Sequence, residues 1–241
     1  MGTTSNDPGR RPDPVAVAAH HLTATGAAVL HSLDLTRTLG VHREDWVRFG
    51  RHWDELAPDP YAAELGIERL AGTGVGRQVR PLASQEFRQP ERSNPLYVGR
   101  DRVFEPLTET FAEDPLLREL LRVLGRLAAA LDDDIEWDVK VHPFRTQSTG
   151  DDGYPTPEGI HRDGVTMVSS LLFTPRNALG GESTVRDTAG RQLLATTLDE
   201  PGTLLVGDDR RTVHGVSPIR PIDDSGPAQR DVLVITFASH T

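Results

Sequence analysis

Cysteine is absent from this chain, and with it go disulfides, thiolate nucleophiles, iron–sulfur ligation and Cys-type zinc sites. Cysteine usage therefore leaves the redox compartment open. Lysine is almost absent as well: of 26 basic residues only Lys140 is a lysine, so Schiff-base chemistry would rest on that side chain alone. Carboxylate recognition falls to arginine, whose planar fork suits it. A surplus of positive charge is missing too. The formal charge of -10 over 241 residues opposes general affinity for nucleic acid or anionic lipid, both of which need clustered basic groups. No apolar run is long enough to cross a bilayer, and Met1 to Pro14 has no apolar centre of the kind a signal peptide carries. The expected setting is the cytoplasm and the expected partner a small molecule; oligomeric state stays open.

What is present divides the chain in two. Residues 1–13 read as a disordered leader dominated by Gly, Pro, Asp and Arg, and 14–241 as a single domain, helical to about residue 134 and β-rich over 135–240. Apolar spacing predicts a helix from Pro14 to about Leu30, fraying at Gly26, and another from Asp34 or Glu44 to Leu56 that buries Trp46, Phe49 and Trp53. The strongest helix signal runs from Asp114 to about Leu131, with Asp114 as N-cap, Pro115 at the first helical position and a leucine stripe at 116, 117, 120, 121, 124 and 127. That stripe is core packing. The glycine-rich stretch Gly72 to Gly76 lacks the spacing and the strand-then-helix frame of a nucleotide loop.

After Asp134 the texture becomes short β-prone runs broken by Gly, Pro, Asp and Asn: residues 136–146, 166–174, 182–187, 192–197, 203–206 and 230–238. Many short strands without alternating helices favour a sandwich or barrel over a parallel βαβ sheet. The predicted fold class is mainly β with flanking helices, a double-stranded β-helix (jelly roll, cupin-like) buttressed by the N-terminal helices.

Within the β-rich part, His161-Arg162-Asp163 places an imidazole and a carboxylate two residues apart, and Val213-His214-Gly215 supplies a second histidine downstream. On a strand, positions i and i+2 share a face and can grip one ion together. Two imidazoles and one carboxylate on one face of an octahedron are the ligand set of non-haem Fe(II) oxygenases, with the opposite positions open. Taken singly, each residue has a plainer explanation: a surface histidine, or an Asp-Gly turn.

Pro157-Glu158-Gly159-Ile160-His161-Arg162-Asp163-Gly164, Gly180-Gly181-Glu182-Ser183-Thr184, Val213-His214-Gly215-Val216-Ser217-Pro218 and Arg230-Asp231-Val232-Leu233 together resemble the bacterial 2-oxoglutarate/Fe(II) dioxygenases of the isoleucine 4-hydroxylase type. The likeness extends upstream through Asn94-Pro95, Arg102 to Leu107 and Val141 to Arg145, over roughly the last two thirds of the chain. It implies a jelly roll, a requirement for Fe(II), 2-oxoglutarate and O2, and hydroxylation of a free amino acid at an unactivated carbon. His161, Asp163 and His214 would be the iron ligands. Arg230 would take the distal carboxylate of 2-oxoglutarate, with Arg220 as its rival.

An amino-acid substrate carries two charges that need partners in a partly buried site. Arg145 is the candidate for its carboxylate and Glu158 for its ammonium, against the alternative that each makes a surface pair. The loop Gln147 to Gly159 reads either as a lid or as a plain connector, and Gly180-Gly181 as a tight turn. Competing readings keep the chemistry but move it to a peptide- or carrier-bound residue, keep the fold as a non-catalytic binding protein, or place zinc in a hydrolase. Isoleucine, leucine, methionine and a cyclic amino acid such as pipecolate stay open as substrates.

Overall fold

The computed structural model describes residues 12–58, 69–71, 74–77, 80–81, 105–132, 136–150 and 152–239, so most of the leader lies outside the described residues. Helix α1, Pro14–Thr25, starts where the Asp13 side chain accepts from the Val15 backbone N–H at 3.0 Å. It stops at Gly26, whose φ of 92° closes the last turn onto the Leu22 carbonyl. The expected continuation to Leu30 is instead strand β1, Ala27–Leu30, because those residues find strand partners at Gly207 to Leu204. The second expected helix is likewise divided. Helix α2, Ser32–Leu39, ends at left-handed Gly40, and α3, Arg43–Gly50, restarts after the His42 N–H is taken by the Asp45 carboxylate at 2.8 Å. A 3₁₀ turn over Arg51–Glu55 follows, and Trp46, Phe49 and Trp53 are buried as their spacing predicts.

Helix α4, Glu109–Ala112, leads into α5, Pro115–Leu131, whose Asp114 cap accepts from Leu116 N–H at 2.8 Å. Leu116, Leu117, Leu120, Leu124 and Leu127 are buried, while Leu121 is only partly covered. Each such burial stabilises the fold by roughly 1.5–3 kcal/mol.

The remaining elements are strands. Four short ones, β2 (Ala57–Pro58), β3 (Arg69–Ala71), β4 (Gly74–Arg77) and β5 (Arg80–Pro81), precede α4. Then come β6 (Trp137–Ser148), β7 (Met167–Arg176), β8 (Ala178–Gly180), β9 (Glu182–Asp187) and β10 (Gln192–Thr197). The last four are β11 (Leu204–Asp208), β12 (Thr212–Val216), β13 (Ile219–Pro221) and β14 (Ala228–Ser239). Residues 74–76 of the glycine-rich stretch pair with β6 as an ordinary strand, and Gly72 and Thr73 lie outside the described residues.

A large antiparallel sheet has the order β1-β11-β7-β14-β6-β3-β2, with β4 also on β6 and β5 on β4; a small sheet runs β10-β9-β12, and β13 pairs β8. This is the predicted jelly roll, with strands from the N-terminal part added to the large sheet. Alternation along β14 assigns its faces. Leu233, Ile235 and Phe237 join α1, α3 and α5 in the main core, whereas Val232 and Val234 pack with Val185 and Leu205 in the space between the sheets. Arg230 shares the parity of Val232 and Val234 and is directed into that space. Gly180 and Gly181 make the expected turn, both at positive φ; a Cβ on Gly180 would sit 2.2 Å from the Pro218 carbonyl oxygen.

Candidate active site

The site lies where β12 meets the segment entering β7. His161 and His214 exchange backbone hydrogen bonds of 2.8 and 2.9 Å, an isolated antiparallel bridge that brings the two imidazoles to 4.5 Å between ring centroids. Gly215 permits the approach: a Cβ there would lie 3.1 Å from the Gly159 carbonyl oxygen and 3.2 Å from Ile160 Cα. The Gly159 carbonyl also sits 3.0 Å from His161 Nδ1, which turns Nε2 toward the cavity.

Asp163 reaches the same point by a different route from the one the spacing suggests. It is not on a strand with His161; it sits in a turn whose next residue, Gly164, has φ 75°. That turn is held by Asp209, whose carboxylate accepts the backbone N–H groups of Asp163, Gly164 and Val165 at 3.3, 2.7 and 3.1 Å. The Asp163 oxygens then lie 3.8 Å from His161 Nε2 and 3.5 Å from His214 Nε2. One donor atom from each residue falls within 4.8 Å of the others. Neighbouring donors around an ion at about 2.1 Å are roughly 3 Å apart, so small inward shifts would close this set on a single cation.

The electrostatics agree with that use. Burial, then the neighbouring His161, holds the His214 imidazole down at about 4, so it is neutral at physiological pH, the form in which a histidine binds metal. Burial, then the charge of Asp163, pushes the Asp209 carboxyl up to about 6.

The cavity beside the triad has an apolar wall that includes Phe144, Val168, Val185, Leu205 and Val232, with Glu158, Ser183 and Arg230 among its polar members. Arg230 is 6% exposed, and its Nη2 has no hydrogen-bond partner among the described residues. Burial lowers it to about 10, which leaves it a cation at neutral pH. Its stem passes Gly181, where a Cβ would meet Arg230 Cδ and Nε at 3.4 Å. The buried hydroxyl of Ser183 also lacks a partner among the described residues. A desolvated guanidinium and a desolvated hydroxyl in one cavity are donors prepared for an anion. The donor set and these orphaned groups fit a metal ion and a dicarboxylate cosubstrate.

Glu158 sits on the same wall, with Oε1 3.4 Å from His161 Nε2 and Oε2 buried without a partner among the described residues. Five of the six residues singled out from the sequence therefore meet at one cavity. Arg145 does not. His142, Phe144 and Thr146 of β6 line the cavity, and Arg145 has the opposite parity. Its fork holds Asp231 at 2.7 and 2.8 Å, Nη1 donates to Asp54 at 2.9 Å, and it borders a separate hollow under α3. Arg220, the rival of Arg230, is exposed on β13. The 147–159 loop is stapled down: Gly153 exchanges two 2.8 Å backbone bonds with Ile219, and the Thr156 hydroxyl bonds the Val216 carbonyl and N–H. Sequence reasoning missed Asp209, since Asp208-Asp209 before two arginines reads as a plain turn.

No helix among the described residues is long and apolar enough to cross a membrane. Comparison with known proteins adds the family. The 2OG-Fe dioxygenase profile matches residues 50–236. The 3(1)-hydroxy-L-isoleucine 4-dioxygenase of Pantoea ananatis (strain AJ13355) is 31% identical over 149 residues, 59% of this chain; the match spans about half of that relative, 54% of its length. A bsmA homolog from Methylobium petroleophilum PM1 superposes with a TM-score of 0.84 at 33% identity, covering 95% of each chain. IDO from Bacillus thuringiensis shares the fold, with a TM-score of 0.77 at 18% identity over 94% of this chain and 100% of that one. With the matched region containing the whole His-Asp-His cluster and Arg230, the chain belongs to the 2OG-Fe dioxygenase family, whose members use Fe(II), 2-oxoglutarate and O2.

Proposed function

We propose that this enzyme hydroxylates an unactivated C–H of a free L-amino acid, aliphatic or cyclic, with release of succinate and CO2. His161, Asp163 and His214 would hold Fe(II), and Arg230 the distal carboxylate of 2-oxoglutarate. When bound, the metal and its cosubstrate supply the oxidant that places one atom of O2 on carbon. The protein's part is placement. Two imidazoles and one carboxylate would hold the ion while leaving other coordination positions free for cosubstrate. Arg230 fixes the cosubstrate by a bidentate grip, and the valine and leucine wall excludes water while receiving a hydrocarbon side chain.

The observation that carries the amino-acid reading is Glu158. A buried carboxylate with one unpartnered oxygen, set in an apolar wall beside the metal ligands, is complementary to an ammonium group. The name of the Pantoea relative, a hydroxy-L-isoleucine dioxygenase, supports the same class. With Arg145 committed to Asp231 and Asp54, it is no longer the candidate for the substrate carboxylate.

Succinate release measured across free amino acids, and across the same residues acylated at nitrogen or amidated, tests this directly. The free forms should turn over and the N-acylated ones should not; preference for blocked or carrier-bound residues would overturn the reading. Glu158→Gln should lower kcat/KM for the amino acid about ten- to a hundredfold, the effect of a hydrogen bond to a charged group. Its metal content and its KM for 2-oxoglutarate should stay unchanged. A loss of metal in that variant would make Glu158 part of the metal set instead.

A further inference from the structure

Asp208 and Asp209 are adjacent, buried and differently employed. Asp208 answers cations: its oxygens take Arg210 Nε at 3.1 Å and Arg211 Nε at 3.0 Å. Asp209, 1% exposed, has no cation at all among the described residues. Its contacts are the three N–H groups of the Asp163 turn and, at 3.7 Å, Nδ1 of His214, a buried ring nitrogen with no hydrogen-bond partner. A buried carboxylate without a counter-cation is costly, and such a group persists where its charge has a use.

We infer that Asp209 is the positioning residue of the metal centre, one carboxylate that sets two of the three ligands at once. Through the backbone it fixes where Asp163 presents its oxygens. Through Nδ1–H it holds His214 in the tautomer that offers a bare Nε2 to the ion and makes that nitrogen more basic. The 3.7 Å separation is longer than a hydrogen bond, so this second hold requires it to close when His214 takes a cation. His161 needs no such help, because the Gly159 carbonyl performs that service for it. A cation held there would in turn supply the positive charge that Asp209 lacks. This inference rests on the metal-site reading and deepens it.

The test uses Co(II) alone as the probe, followed by its visible absorption, on the native chain, Asp209→Asn and Asp208→Asn. Native protein should bind one Co(II), Asp209→Asn should bind it about ten- to a hundredfold more weakly, and Asp208→Asn should match native. Equal affinity in native and Asp209→Asn would overturn the inference, whereas failure of the native chain to bind Co(II) would overturn the metal site itself. The second readout needs no variant: in the Zn(II)-loaded native protein, nitrogen-15 NMR should show a hydrogen-bonded, exchange-protected Nδ1 proton on His214. A freely exchanging Nδ1 proton would refute the role of Asp209 whether or not Asp209→Asn folds.

Discussion

Arg230→Met should raise the KM for 2-oxoglutarate by about 30-fold to several thousandfold, the range expected when one partner of a buried charge pair is removed at 2–5 kcal/mol. The reason lies in the environment of the guanidinium. Arg230 shares the cavity-facing parity of Val232 and Val234, and its Nη2 is unpartnered among the described residues, so the proposed complement is the distal carboxylate of the cosubstrate. Arg230→Lys keeps the charge but loses the fork, and its KM should fall between native and Met. The apo variant should melt no lower than native, because a buried cation without a counter-ion does not stabilise the fold. The KM for 2-oxoglutarate, read beside a thermal melt, separates this from a structural arginine. A melting temperature that drops while KM holds would make Arg230 a structural residue.

His214→Ala should have the larger effect on turnover. Removing one of the three proposed ligands leaves two donors, and the loss of Fe(II) affinity should exceed the 10- to 100-fold that accompanies changes to residues behind the ligands. Turnover at limiting iron should fall below detection. The imidazole is half-buried and neutral, and β12 keeps its register with β9 through backbone bonds, so the variant should fold. Equilibrium dialysis against Fe(II) without oxygen reads the affinity; a variant that retains native iron content would place the metal elsewhere.

Much of this was legible because the signals were local. The α5 stripe carries its own cap, proline and period, and strands 182–187 and 192–197 are bounded by turn residues on both sides, so they could be read without knowing their partners. The errors came where tertiary pairing decides. Ala27–Leu30 has helical company in sequence, yet it pairs with β11 almost 180 residues on. Strand β12 is five residues long, and its place on β9 follows from the register His214↔Val185, which no local pattern reveals. The face of β6 was equally hidden. Arg145 finds its partners 86 and 91 residues away, so nothing around it in sequence tells that it looks away from the cavity. His161 and Asp163 do come together, but not as one strand face: a β-bridge sets the histidine, and a turn bound to Asp209 sets the aspartate. Asp209 itself acts through backbone N–H groups, which leave no mark in the residue types they belong to.

His161, Asp163 and His214, as proposed, hold one Fe(II) within reach of a 2-oxoglutarate gripped by Arg230. Anaerobic titration of the native chain with Fe(II) and then 2-oxoglutarate, followed in the visible, tests this most directly. A weak absorption should grow in at one iron per chain only when both are present, and should be missing from His214→Ala. A native chain that stays colourless at saturating iron and cosubstrate would contradict the account.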